Sequence, residues 1–220
     1  MMRSWINLVE NIGSADVQKY KNEVAHYKNE VAHYTNERAK YWPVSPKLMA
    51  SYRDGSHSEE WTDGHMYWRK NDQLHREGDK PAYMGADGRL EWYKNGDYHR
   101  DDDKPAMIYA DGTLRWFKNG EEHRDVDKPA WIGGDGSLAW FKNNLRNRNG
   151  DKPAYIGADG SLAWFKNDKR HRLLGPAVID ENNKFEWWFK GNEIPVKTQE
   201  EHLSWLEKNG LIDVYRLRKS

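Results

Sequence analysis

The chain contains no cysteine, which excludes disulfides, thiolate metal sites and a cysteine nucleophile. That absence suits a reducing compartment, and the expected location is cytoplasmic (host cytoplasm if the protein is viral). There is no excess of charge either: 35 Lys and Arg face 35 Asp and Glu. A general nucleic-acid binder needs a basic surface for phosphate contacts, and this balance disfavours one. No stretch approaches the ~18 consecutive apolar residues of a membrane span. Residues 1–10 hold one Arg and no long apolar run, unlike a secretory signal. Mean hydropathy is −1.11, too polar for a large core. Aromatic rings are what the chain has, with 12 Trp and 12 Tyr. Disordered chains are poor in aromatics. The combination fits a thin structure that buries rings in columns and leaves much of its surface wet.

Those rings are periodic. Trp68, Trp92, Trp116, Trp140 and Trp164 fall 24 residues apart. Pro81, Pro105, Pro129 and Pro153 keep the same step, and so do the Asp-Gly pairs from Asp63-Gly64 to Asp159-Gly160. One unit reads Asp79-Lys80-Pro81-Ala82, then Asp87-Gly88, then Leu90-Glu91-Trp92-Tyr93-Lys94-Asn95-Gly96 and His99-Arg100. The last unit is degenerate: Gly175-Pro176-Ala177 comes one residue early, and Asn182-Asn183 stands for Asp-Gly. End units of an array have one neighbour only and are expected to differ.

Asp-Gly and Asn-Gly between apolar runs signal hairpins whose two turn residues both take positive φ. Residues 81–86 and 89–94 therefore read as strands, with turns at 87–88 and 95–96 and a lead-in at 97–100. Each unit should give two strands, or two and a short third. Period-2 alternation puts Leu90 and Trp92 on one face, and Tyr93, Phe117, Phe141 and Phe165 on the other. In the first strand Met84, Ile108, Ile132 and Ile156 form one column, while Tyr83, Met107, Trp131 and Tyr155 form the opposite one. A single sheet with two apolar faces needs cover on at least one of them.

The phrases Lys94-Asn95-Gly96, His99-Arg100, Asp103-Lys104-Pro105-Ala106 and Asp111-Gly112 resemble a divergent MORN-type repeat. The run from His171-Arg172 to Gly175-Pro176-Ala177 is similar to the His-Arg…Gly-Pro-Ala repeats of phage and giant-virus proteins. The resemblance covers residues 63–192. It implies hairpin architecture, a role in scaffolding, protein–protein contact or membrane association, and no catalytic residues. Arg follows His at 100, 124 and 172 where MORN has Gly, and the aromatic is doubled as Trp92-Tyr93 or Trp116-Phe117. MORN-like lipid binding therefore does not carry over.

Two other segments flank the array. Residues 20–41 repeat every seven: Tyr20, Val24, Tyr27, Val31, Tyr34 and Tyr41 form the apolar stripe of an amphipathic helix. Ser14 is its candidate cap, and Trp42-Pro43 its stop. An earlier helix over residues 3–12 would set Trp5, Leu8, Val9 and Ile12 on one face. Seven helical residues rise ~10.5 Å, and two strands of a sheet advance ~9.6 Å. The stripe can therefore lie across the sheet with one heptad per unit. The alternatives are a short coiled coil, a plain surface helix, or the helix of a second copy seated on the sheet. Residues 198–209 read as a helix capped by Thr198 with Glu201 three residues on, stopped by Asn209-Gly210. Leu211 to Leu217 reads as a last strand. This end is either a structural cap or a partner-binding tail ending in Arg216, Arg218 and Lys219.

No constellation reads as catalytic. His75, His99, His123 and His171 recur one per unit, ~10 Å apart, too far apart for neighbouring copies to share an ion. His and Arg are expected to pair with the Asp of the next Asp-Lys-Pro-Ala. Asp101-Asp102-Asp103 reads as a solvated acidic turn. No phosphate-binding or dinucleotide fingerprint is present. No cofactor and no metal are implied.

The expected architecture is mainly β: an elongated open antiparallel meander of repeated hairpins with α-helical N- and C-terminal segments. Its divisions are a helical segment over 1–42, a linker and entry strand over 43–62, the array over 63–192 and a capping helix and strand over 193–220. The leading function is a non-enzymatic protein–protein binding or scaffold module, as for a phage protein acting on a host factor. A viral structural or assembly component is the second reading. A nucleic-acid binder using the aromatic columns with Lys94, Lys118, Lys142 and Lys166 is the third. The candidate binding residues are Trp92, Trp116, Trp140, Trp164, Tyr93, Phe117, Phe141, Phe165, Tyr27 and Tyr34. The partner would be another protein or a second copy of the chain, not a membrane.

Overall fold

The structure, a computed structural model, describes the backbone of residues 2–41, 57–62 and 64–219, and the side chains of residues 16–37 and 64–217. It is mainly β. Among the described residues, twelve strands cross one antiparallel sheet in sequence order, from His57–Thr62 and His65–Lys70 to Val178–Ile179 and Phe185–Glu186. The first lies in the segment read as an entry strand.

Each unit contributes four short strands, not two or three. Tyr83–Met84 and Leu90–Glu91 lie in the long sheet, while Tyr93–Lys94 and Asp97–Tyr98 form a side hairpin. The single strand read over 89–94 therefore breaks at Trp92. The cause is visible in that residue's backbone. Trp92 N–H donates to Ala106 O of the next unit at 2.8 Å, and Trp92 O accepts from His99 N–H at 3.1 Å. One residue thus serves the sheet and the hairpin at once. Trp116, Trp140 and Trp164 repeat the arrangement with Ala130, Ala154 and Ala177.

The two turns of a unit differ. Asn95 and Gly96 both take positive φ (53° and 86°), as a two-residue hairpin turn requires. At Asp87-Gly88 only the glycine does, at 84°. There Gly88 N–H donates to Gly85 O, and the Asp87 carboxylate accepts from Arg89 N–H at 3.0 Å. The aspartate acts through its side chain and needs no left-handed backbone, which corrects the reading of both Asp-Gly residues as positive-φ positions.

Register fixes the columns. Met84 pairs with Leu90, Leu90 with Ile108, Ile108 with Leu114, and so on to Ile179 opposite Phe185. From Met84 to Ile179 this column is buried. The opposite column runs Tyr83, Glu91, Met107, Arg115, Trp131, Ala139, Tyr155, Ala163 and Val178.

The cover for the first face is the N-terminal helix α1 (Met2–Tyr41). It is one helix of 40 residues, not two, and Gly13 and Ser14 lie inside it. An interior Gly costs about 1 kcal/mol, one local term against a helix held over several units. Ser14 is therefore not a cap. The face proposed for Trp5, Leu8, Val9 and Ile12 lies outside the described side chains. The helix runs against the direction of the array, one heptad per unit. Tyr34 meets Trp92 edge-on with ring centres 6.0 Å apart, and Tyr27 meets Trp116 at 6.3 Å. Tyr20, one heptad earlier, is buried as well.

The C-terminal end is helical throughout. Helix α2 (Gln199–Lys208) is capped by Thr198, whose hydroxyl accepts from Glu201 N–H at 3.1 Å, and Glu201 accepts from Lys197 N–H. Gly210 turns the chain at φ 67°. Residues 211–217 then form not a strand but helix α3 (Ile212–Lys219). Tyr215, buried in a cluster with Leu173 and Leu206, explains it. With no strand edge to extend there, only the helical spacing of Leu211, Ile212 and Tyr215 reaches that cluster.

Candidate interaction surfaces

On the helix side, three successive units build the same four-part joint. Arg100 lies flat on Trp92, its guanidinium carbon 3.8 Å from the ring centre. It grips Asp79, at the start of its own unit, through Nε at 2.7 Å and Nη2 at 3.2 Å, and reaches Glu30 of α1 at 2.6 Å. Trp92 Nε1–H donates to Asp79 O at 3.2 Å. Lys104 adds a second cation to Asp79 at 2.7 Å. One unit on, Arg124 covers Trp116 and joins Asp103 to Glu23. One further, Arg148 covers Trp140 and joins Asp127 to Asp16. The acids of α1 therefore step by seven while those of the array step by 24.

The Arg ladder was expected to use the Asp of the following Asp-Lys-Pro-Ala. It uses the Asp that opens its own unit instead, because the arginine lies across its own Trp ring, whose N–H points at that Asp. The histidines take a different acid: His99 meets Asp101 at 2.9 Å and His123 meets Asp125 at 2.9 Å. The Asp101-Asp102-Asp103 run thus divides, Asp101 serving His99 and Asp103 serving Arg124, with Asp102 exposed. Burial pushes the Asp79, Asp103 and Asp127 carboxyls up, but the Arg and Lys hydrogen bonds outweigh it and hold them below the usual range. Burial also pushes the Tyr20 and Tyr27 hydroxyls up to about 12.

Trp92, Trp116, Trp140, Trp164, Tyr27 and Tyr34 are all buried within this joint. The occupant of the Trp column is the chain's own helix. Tyr93, Phe117, Phe141 and Phe165 stand on the side hairpins, away from it, and Tyr93, Phe141 and Phe165 stay half-buried. No group of three or more His, Asp or Glu suited to a metal ion occurs among the described residues.

The face away from α1 is a groove between the second sheet column and the side hairpins. Its polar residues bridge it where they occur. Glu91 accepts from Tyr93 at 2.6 Å and Tyr98 at 3.3 Å. Arg115 holds Glu122 through two bonds. Glu186 accepts from Trp188 Nε1–H at 2.9 Å and from Arg170. Between these bridges the same positions are Ala139 and Ala163. An alanine makes no such bridge; Ala139 and Ala163 are buried, while Trp131, Tyr155, Phe141 and Phe165 around them stay half-buried. The Trp131 indole N–H and the Tyr155 hydroxyl have no partner among the described residues. Gly133 fits closely against Trp131: a Cβ there would stand 2.7 Å from Trp131 Cη2. Sequence reading singled out the Phe column, and it registers the alanines only as the small residue that MORN repeats place between their aromatics. Ala139 and Ala163 stand where the other units carry Glu91 and Arg115, and that contrast was the available signal.

The geometry defines a class: a β-hairpin repeat array whose Trp face is covered by its own heptad helix. No protein-family model, curated protein or solved structure matches the chain.

Proposed function

We propose that the protein is a non-catalytic protein-binding or scaffold module whose face away from α1, with half-buried Trp131, Tyr155, Phe141 and Phe165, takes a segment of a partner protein. The observation that carries this reading is the asymmetry of the two faces. On one, aromatics at unit spacing are filled by a helix of the same chain. On the other, Trp131, Tyr155, Phe141 and Phe165 recur at the same spacing with small residues between them and stay half-buried, with no helix of the described residues over them. Groove-lining aromatics with free polar ends suit an interface, where one end is apolar and the other wet. The local charge selects the partner. Lys142 and Lys166 have no acidic partner among the described residues, and Arg146 lies 4.2 Å over Phe165. An acidic segment with apolar knobs is complementary. The resemblance to MORN-type repeats supports the same class of role.

The test is capture of partners by tagged wild-type chain and by an Ala139→Glu/Ala163→Glu variant, which re-creates the bridging side chain of Glu91. The expected result is one stoichiometric protein bound by the wild type and lost from the variant, with melting unchanged. Capture that ignores the substitutions, or salt-sensitive capture of nucleic acid alone, would overturn the reading.

A further inference from the structure

A second site, separate from the groove, lies where the last side hairpins meet α3. In two earlier units the lysine that ends the strand after the Trp has an acid both across its hairpin and seven residues on, whereas Lys142 already has neither, facing Leu145 with Asn149 seven residues on. Lys94 faces Asp97 across its hairpin and pairs with Asp101 at 3.6 Å. Lys118 faces Glu121 and pairs with Asp125 at 3.1 Å. In the fifth unit both acids are gone as well. The cross-strand position is Lys169, directly opposite Lys166. The position seven residues on is Leu173. Like charges directly opposite in a hairpin repel, and here no carboxylate relieves them.

These two lysines border a cavity of about 470 Å³. Lys190 is the third cation, its ammonium 5.2 Å from the Phe189 ring centre. The rest of the wall is apolar: Leu173, Phe189, and Leu211 and Val214 from the C-terminal end. No residue lining it is acidic. The nearest acid on α3, Asp213, is turned to Arg216 at 3.5 Å. His171 Nδ1 is already occupied by Lys190 N–H at 3.1 Å. The volume lies within the range of small-molecule sites, roughly 300–1,000 Å³. The alternative, a solvated lysine cluster, leaves unexplained why the cations gather over an apolar floor built by a different element.

We propose that this cavity binds a small anionic amphiphile, with a carboxylate among Lys166, Lys169 and Lys190 and an aliphatic body on Leu173, Phe189 and Val214. The probes are decanoate below its micelle concentration, decanol and inorganic phosphate, titrated calorimetrically against the full chain. The expected result is saturable one-to-one binding of decanoate, at least tenfold tighter than decanol or phosphate and weakened by salt. Lys166→Gln/Lys169→Gln should weaken decanoate at least tenfold with melting unchanged, and Val214→Trp should block it by filling the floor. Decanol binding as well as decanoate would remove the role of the lysines. Phosphate binding equally well would remove the role of the apolar floor. Either result, or no saturable decanoate binding at all, overturns the proposal.

Discussion

Arg124 and Glu23 stand 101 residues apart in sequence and meet at 2.6 Å, the arginine lying flat on Trp116 as it does so. The arginine side chain is only 3% exposed and the glutamate 25%. A guanidinium so placed cannot lose its partners cheaply. Arg124→Met should cost about 3 kcal/mol, the order found when one member of a buried pair is removed. Glu23→Gln keeps a hydrogen-bond acceptor and should cost about 1 kcal/mol. Urea unfolding of both variants checks the order. Equal and negligible losses would show that the ladder does not hold α1 in place.

Val126 is the odd residue of the array. It takes φ 61° and is 85% exposed. The same place in neighbouring units holds Gly78, Asp102 or Gly150, all at positive φ. A β-branched residue gains nothing there and carries left-handed strain of about 1–2 kcal/mol. Val126→Asn should therefore stabilise the protein by about 1 kcal/mol, read as a raised midpoint in urea. A lowered midpoint would mean that the valine makes an unrecognised contact.

Acid should act in two windows. His202 is 1% exposed and lies 4.5 Å from Trp187, ring centre to ring centre. Burial holds its pKa down to about 4, against 6.5 unperturbed. The unfolded chain thus takes up a proton that the folded one refuses. Stability is constant above pH 6.5 and falls between about 6.5 and 4, by roughly 3 kcal/mol at most. The Asp79, Asp103 and Asp127 carboxyls are held low in the folded state, so their contribution is present above the unfolded value near 3.8 and is lost as the pH drops below it. His202→Phe should abolish the first window and leave the second. A first window unchanged in that variant would assign it to another group.

Much of this architecture was legible because the unit repeats. The 24-residue step gives the hairpins, and the match between heptad and unit allows α1 to lie across the sheet but leaves open which face it covers. Misreadings arose where one residue does two jobs or where partners lie far apart. Nothing local to Trp92 reveals that its N–H and C=O serve different sheets. Pairing of Arg100 with the preceding Asp79 depends on the tilt of the Trp ring between them. The helix over 212–219 was hidden because its apolar residues suit either period until Leu206 and Leu173 supply a surface.

Register between α1 and the array is tested most directly by placing carboxylates on the two sides of the helix. Tyr27→Asp/Tyr34→Asp puts two unpaired charges against Trp116 and Trp92, while His26→Asp/His33→Asp adds the same charges one position away, on exposed positions. Thermal melting followed by Trp fluorescence should show collapse of the transition and red-shifted emission for the tyrosine pair, with the histidine pair close to wild type. Unchanged melting of the Tyr27→Asp/Tyr34→Asp protein would contradict a helix seated on the Trp ladder, and with it the assignment of the opposite face to a partner.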